Sequence, residues 1–288
     1  MKEARYSAPE TLEAAVALLA GAEGSARVLA GGTDLLVQMR AGTVAPALIV
    51  DVKKIAEMTT IAESGGSYRI GAAVTGAVMG EHAALKKMWP GVVEAVNLIG
   101  SKQVQGRASA GGNLCNGSPA ADSVPAMVAA GAVVTIQGPG GRRELPVEKV
   151  TAGPGRTNLA KGEIIVSFTL PARPKTSGDA YLRLIPRTEM DIAVVGCGVA
   201  LTMDGDTCTS ARVGLGAVAP TVLLVDAAGK ALAGSKLEDA ALEEAAAACR
   251  AACKPIDDKR GTIVYRTKIA GVLLKRAAAI AAERARSH

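Results

Sequence analysis

In a chain of 288 residues, one Trp, one Phe and four Tyr are the whole aromatic complement, while hydrophobic residues still make up 49% of it. That inventory fills a core and excludes intrinsic disorder, but it cannot easily furnish stacking grooves for single-stranded nucleic acid or aromatic cages for quaternary ammonium groups. Lys and Arg number 33 against 27 Asp and Glu, a formal +6, and two histidines, His82 and His288, nearly exclude His-centred metal sites and Ser-His-Asp triads.

Ser7 and Glu10 form an S-x-x-E start, so a first helix is expected to run to about Ala20, stopped by Gly21 and Gly24. A strand over Arg27–Ala30 then leads through Gly31-Gly32-Thr33-Asp34 into a helix beginning LLVQMR, and a strand over Ala47–Val52 completes a βαβ unit. A strand around Tyr68–Ala73 precedes a helical region, Thr75–Ile99, broken at Pro90-Gly91. The polar, glycine-rich passage Gly100–Pro125 reads as a long loop. Helix and strand follow over Ala126–Ile136, then a hairpin turn at Gly138-Pro139-Gly140-Gly141 and a strand over Glu163–Leu170. Pro171-Ala172-Arg173-Pro174 with Ser177-Gly178 has the composition of a linker, which places a domain boundary near residue 175. Beyond it, Tyr181–Leu184, Ala193–Met203 and Ala211–Val218 are expected as strands, with Asp204-Gly205 a turn, and two Ala-rich helices close the chain at about Leu237–Cys253 and Gly261–Arg284.

The basic residues Lys268, Lys275, Arg276, Arg284 and Arg286 sit at helical spacing among alanines, a pattern that favours a solvated helix face over an acidic protein partner or a dinucleotide phosphate. Five cysteines with no short CxxC spacing supply neither a disulfide framework nor the ligands of a zinc or iron–sulfur site. Cys249 and Cys253, at i,i+4, read as packing. The N-terminal apolar run is interrupted by Glu10 and Glu13 and reads as an amphipathic helix rather than a signal peptide. No stretch reaches the roughly 18–20 apolar residues of a membrane span. A cytoplasmic location is expected.

Two turns carry chemistry. In the first, Gly31-Gly32-Thr33 leaves a strand and opens a helix, where converging backbone N–H groups suit a pyrophosphate and Thr33 can cap the helix or donate to a phosphate oxygen. An ordinary strand-to-helix turn with a Thr cap explains the same residues. In the second, Ser109-Ala110-Gly111-Gly112-Asn113 continues to Ser118-Pro119-Ala120-Ala121-Asp122, small residues for close approach and a carboxylate to accept from hydroxyls. Two such loops suggest a dinucleotide-sized ligand stretched between them. A third pattern, Gly214-Leu215-Gly216-Ala217-Val218-Ala219, matches G-x-G-x-x-A, but Pro220 follows and no helix is expected to open there, so it lacks the context of a Rossmann turn.

The segments LAGGTDLL, IGSKQVQGRASAGGNLCNGSPAADSVP, YLRLIPRTEMDIAVV, GAVAP and VYRTKIAGVLLKR, in this order, closely resemble the FAD-binding (medium) subunit of the molybdenum hydroxylase and xanthine dehydrogenase family, a group that includes carbon monoxide dehydrogenase medium subunits. The resemblance covers essentially the whole chain. It implies an α+β fold: a two-subdomain FAD-binding domain of the vanillyl-alcohol oxidase (PCMH) type over 1–175, split into about 1–55 and 56–175, then a C-terminal domain, 176–288, with a three-stranded antiparallel sheet and helices. It implies FAD as cofactor, with Val28, Leu29, Ala30, Gly31, Gly32, Thr33, Asp34, Leu35 and Ser109, Ala110, Gly111, Gly112, Asn113 around the diphosphate. Asp122 would make a polar contact, Ile165 would pack on the cofactor, and Arg183 (frequently Lys in the family) would lie near the flavin. Ser109-Ala110 is smaller than the family's usual pair.

The same resemblance implies partners: a large subunit with the molybdopterin cofactor and a small subunit with [2Fe–2S] clusters, and NAD or another acceptor for the electrons. It implies no metal site and no proton-transfer residue on this chain. With aromatics so scarce, the flavin is expected to lie between aliphatic side chains such as Ile165 and Ile99. A stand-alone flavin oxidase would need a substrate domain for which 288 residues leave little room, and a cofactor-free basic module would purify colourless.

Overall fold

A small parallel sheet begins the chain. In the computed structural model, which describes residues 4–287, strand β1 (Arg5–Ser7), helix α1 (Leu12–Ala20), strand β2 (Ala26–Leu29), helix α2 (Leu35–Arg40) and strand β3 (Leu48–Asp51) follow in turn. Their strand order is β1-β3-β2, both pairings parallel. The expected βαβ unit is β2-α2-β3. Helix α1 starts later than Ser7 suggests, because Ser7 is held in β1 opposite Val50. Thr11, directly before the apolar run, accepts from Ala14 N instead and caps the helix. Leu12, Ala15, Val16 and Leu19 then form one buried stripe.

The next stretch contributes α3 (Ala56–Thr59), β4 (Ile61–Ser64), β5 (Ser67–Gly71), α4 (Gly76–Glu81), α5 (Ala83–Met88), α6 (Pro90–Val96), α7 (Lys102–Gln105), α8 (Ala110–Cys115), α9 (Ser123–Ala129), β6 (Val133–Gly138), β7 (Gly141–Pro146), β8 (Thr151–Gly153), β9 (Arg156–Thr157) and β10 (Ile164–Leu170). Strands β4-β5-β10-β6-β7 form an antiparallel sheet, and β8 and β9 pair separately. Pro90 occupies the first turn of α6, where its missing N–H costs nothing. His82 makes a second break in that helical region by accepting from Leu85 N through Nδ1. The passage 100–125, expected as one loop, holds α7, α8 and the start of α9, and Ser109 caps α8.

The rest builds a second sheet, β11 (Ser177–Leu184), β12 (Val195–Asp204), β13 (Thr207–Gly216) and the two-residue β14 (Leu223–Leu224), then helices α10 (Asp226–Leu232), α11 (Asp239–Ala252) and α12 (Ile263–Arg286). Three long antiparallel strands match the expectation, and β14 adds a short edge. Along β12, Cys197, Val199, Leu201 and Met203 point to a core shared with α11 and α12. The alternate face turns toward α9, where a Cβ on Gly198 would sit 2.6 Å from the Pro125 carbonyl oxygen. In the basic run of α12, Arg284 donates to Glu94 and to the Asp179 carbonyl, and Lys275 pairs with Glu243, so part of that charge is spent within the chain. Cys249 is buried in the same core, as packing requires. No described helix is long and apolar enough to cross a membrane.

Candidate functional site

The two glycine-rich turns meet. Gly31 lies so close to the segment entering α8 that a Cβ there would overlap the Arg107 carbonyl oxygen, and Gly32 holds φ +75°, a conformation open to glycine. Beside this contact opens a cleft of about 750 Å³, within the range of small-molecule and cofactor sites.

Of the expected residues, Val28, Ala30, Gly31, Gly32, Thr33, Asp34 and Leu35 line one wall, and Ser109, Gly111, Gly112 and Asn113 line another. Ile165 lines it too, as does Ile99. Ile165 stands at a register shift in β10 between residues 165 and 167, and such a bulge re-aims a side chain out of the regular alternation. Leu29 and Ala110 are not on the cleft surface: Leu29 continues the β2 ladder opposite Asp51, and Ala110 is buried in the first turn of α8. Among the described residues, no Phe, Tyr or Trp lines the cleft.

Local chemistry explains how the walls are held. Ser109 accepts from Gly112 N at 3.1 Å, so its hydroxyl caps α8. Thr33 does not cap α2; the cap position is Asp34, whose side chain makes no capping bond, and Thr33 lines the cleft. Asn113 accepts from both Ser123 N and Ser123 Oγ, tying α8 to α9. Gly112 differs from Gly31 in that a Cβ there would meet only Ser109 Oγ at 3.3 Å.

Three contributors were not visible in the sequence. Lys53 Nζ donates to the Ala30 carbonyl at 3.1 Å and to both oxygens of Asp51 at 2.7 Å, clamping the first turn from beneath. Tyr6 donates to the same carboxylate. Gln38 Nε2 donates to Asn116 Oδ1 at 3.0 Å and joins α2 to the end of α8 across the cleft. Each partner lies far away in the chain or on an element too short to announce itself.

Asp122 and Arg183 are brought together, but not onto the wall of this cleft. Arg183 Nη1 donates to Asp122 Oδ2 at 2.7 Å, and the Tyr181 hydroxyl donates to Oδ1 at 3.0 Å. Burial pushes the Asp122 carboxyl up to about 6, outweighing the neighbouring guanidinium and the two hydrogen bonds. The carboxylate expected to contact a ligand is thus already engaged by two protein donors. Arg183 Nε is buried and finds no hydrogen-bond partner among the described residues.

Comparison with known proteins agrees with this architecture. Residues 2–173 match the family described as FAD binding domain in molybdopterin dehydrogenase, and residues 180–281 match the CO dehydrogenase flavoprotein C-terminal domain. The carbon monoxide dehydrogenase medium chain of Afipia carboxidovorans is 36% identical over 98% of both chains. The xanthine dehydrogenase FAD-binding subunit of Escherichia coli O157:H7 is 35% identical over 76% of this chain and 75% of its own. Among solved structures, a chain of the Cu,Mo-CO dehydrogenase in its cyanide-inactivated form superposes with a TM-score of 0.94 at 35% identity, with 98% of each chain covered. The chain belongs to the FAD-binding family of the molybdopterin dehydrogenases, with the flavoprotein C-terminal domain of the CO dehydrogenases as its second part.

Proposed function

We propose that this chain is the FAD-binding subunit of a multi-subunit molybdenum hydroxylase. Electrons released at a molybdenum centre on a large partner subunit would pass over [2Fe–2S] clusters on a small one to FAD held here, and on to NAD or another acceptor. Family membership supports the cofactor, and relatives named as medium chains and FAD-binding subunits support the division of labour. The observation that carries the reading is the convergence of two glycine-rich turns, each opening a short helix, on one cleft of dinucleotide size. A division into domains near residue 175 accompanies it, supported by two hydrophobic cores, one drawn mainly from residues up to Leu170 with Tyr181 and Val222 added, the other from Ala180 onward.

The residues present fit the group. Gly31, Gly32 and Gly111 let the two turns pack close, Gly112 leaves its place on the wall without a side chain to block a diphosphate, and Thr33 offers a hydroxyl beside it. Val28, Ile99 and Ile165 supply aliphatic surface for a planar ring. Asp122 and Arg183 form a buried pair off the cleft wall, and Arg183 Nε is a buried donor without a partner among the described residues. When bound, FAD supplies two-electron and one-electron redox chemistry; the protein's part is binding, orientation and electrostatics.

Gly112→Val is the informative substitution, because a side chain there enters the cleft without displacing neighbouring backbone. In the complex purified with its partner subunits, the variant should assemble but lose most of the flavin absorbance at roughly 450 nm. Full flavin occupancy in that variant would refute the cradle.

A further inference from the structure

The glycines that open the first turn also leave it loose. Gly31 accepts a φ of either sign, so the peptide unit between Ala30 and Gly31 can turn over at little cost. One orientation sets an N–H toward an anion and attracts it, and the other sets a carbonyl oxygen there and repels it. A group outside the turn has to choose between them.

The three strands of the small parallel sheet each supply part of that choice. Asp51, the buried last residue of β3, accepts from the Tyr6 hydroxyl of β1 at 2.7 Å, from Lys53 N at 3.0 Å and from Lys53 Nζ at 2.7 Å. Held in this way, the Lys53 ammonium donates at 3.1 Å to the carbonyl of Ala30, the residue that follows β2. No peptide bond among the described residues is cis, and in a trans peptide the carbonyl and the N–H point in opposite directions. The Gly31 N–H is therefore turned away from Lys53. Ala30, Gly31 and Gly32 line the cleft, whereas Lys53 does not. Among the described residues no main-chain acceptor takes the N–H of Gly31, Gly32 or Thr33. The carboxylate beside Lys53 also neutralises its charge, so its influence on the cleft runs through the bond to Ala30 rather than through long-range attraction.

We infer that Lys53 is a positioning residue for the diphosphate of the cofactor: it locks the Ala30–Gly31 peptide with the N–H free for a phosphate oxygen, and does so from outside the cleft. The inference rests on FAD as the ligand proposed above. Glycine gives the turn its close approach, and Lys53 removes the freedom that comes with it.

The test uses the complex purified with its partner subunits, stripped of FAD and titrated with FAD again. Lys53→Met keeps most of the side-chain stem and deletes the ammonium. Asp51→Asn combined with Lys53→Met also removes the carboxylate that would be left without its cation, which keeps the fold free of an uncompensated buried charge. Lys54→Met is the control, since it deletes the same charge one residue on, from an exposed pair with Glu10. Both chains carrying Lys53→Met should bind FAD about tenfold more weakly or worse. Lys53→Arg, which keeps a donor, should recover most of the loss, and Lys54→Met should match the wild type. At saturating FAD, the phosphorus NMR signals of the bound diphosphate should move in Lys53→Met while the flavin absorption spectrum stays as it was, a signature that general loosening of the chain does not give. Wild-type FAD affinity in both Lys53→Met chains overturns the inference. An equal loss in Lys54→Met overturns it too, because net charge then explains the effect, and so do unmoved phosphorus signals. A wild-type complex that takes up no FAD overturns the proposed function, and this inference with it.

Discussion

Asp122 shows how burial rather than charge pairing sets a group's behaviour. Its carboxyl is pushed up to about 6 although Arg183 and Tyr181 both donate to it. The folded state therefore binds its proton more tightly than the unfolded chain, whose aspartates titrate near 3.9. Stability from this group is complete below about pH 4 and is lost as pH rises through about 6. Relative to Asp122→Asn, the wild type should lose roughly 2–3 kcal/mol of unfolding free energy between pH 4 and pH 7, measured by urea titration at both pH values. A difference that stays flat or grows with pH would show the carboxylate to be stabilised by Arg183 after all. At this scale the sequence was informative where backbone was at stake: Gly31, Gly32, Gly111 and Gly112 stand out because side chains are missing at them. It did not show the partners of Asp122, because Tyr181 and Arg183 come from a strand some sixty residues on. Lys53 was equally hidden, since nothing in its neighbourhood in the chain says that its ammonium reaches the Ala30 carbonyl.

At the scale of elements, the glycines of Gly214-Leu215-Gly216 matter for packing. They end β13 and are followed by Ala217 at φ 63° rather than by a helix. Gly198 and Gly214 face one another across β12 and β13, and a Cβ on Gly214 would overlap the Pro125 carbonyl, so the pair lets α9 lie flat on the sheet. Gly214→Val should cost about 1–3 kcal/mol through overpacking, seen as a lowered urea midpoint for the whole chain. An unchanged midpoint would mean that α9 can shift at no cost. No helix opens after Gly216, as Pro220 led one to expect, and the pattern's packing role needed the sheet register. The long helices, the β6–β7 hairpin and the βαβ unit were legible through caps, periodicity and turn residues. Strands β1 and β4 and helix α10 were not, because three to seven residues carry too little periodicity and their pairing is fixed by distant partners.

Across the whole molecule, two cores are joined by buried polar contacts rather than by a hinge of open chain. Asp179 accepts from Val92 N and from Arg173 Nη2, which itself lies 3.9 Å from the centre of the Trp89 ring, and Arg284 reaches back from α12 to Glu94. This ties the second sheet and α12 to the elements of the first core. The cofactor is proposed to occupy the cleft between the two glycine turns. Hydrogen–deuterium exchange on the assembled complex, with FAD bound and after its removal, tests this most directly. Bound FAD should slow exchange in residues 28–36 and 109–116 together, with smaller changes around Ile165. Equal exchange in both turns with and without the cofactor, or protection confined to one of them, would contradict the account.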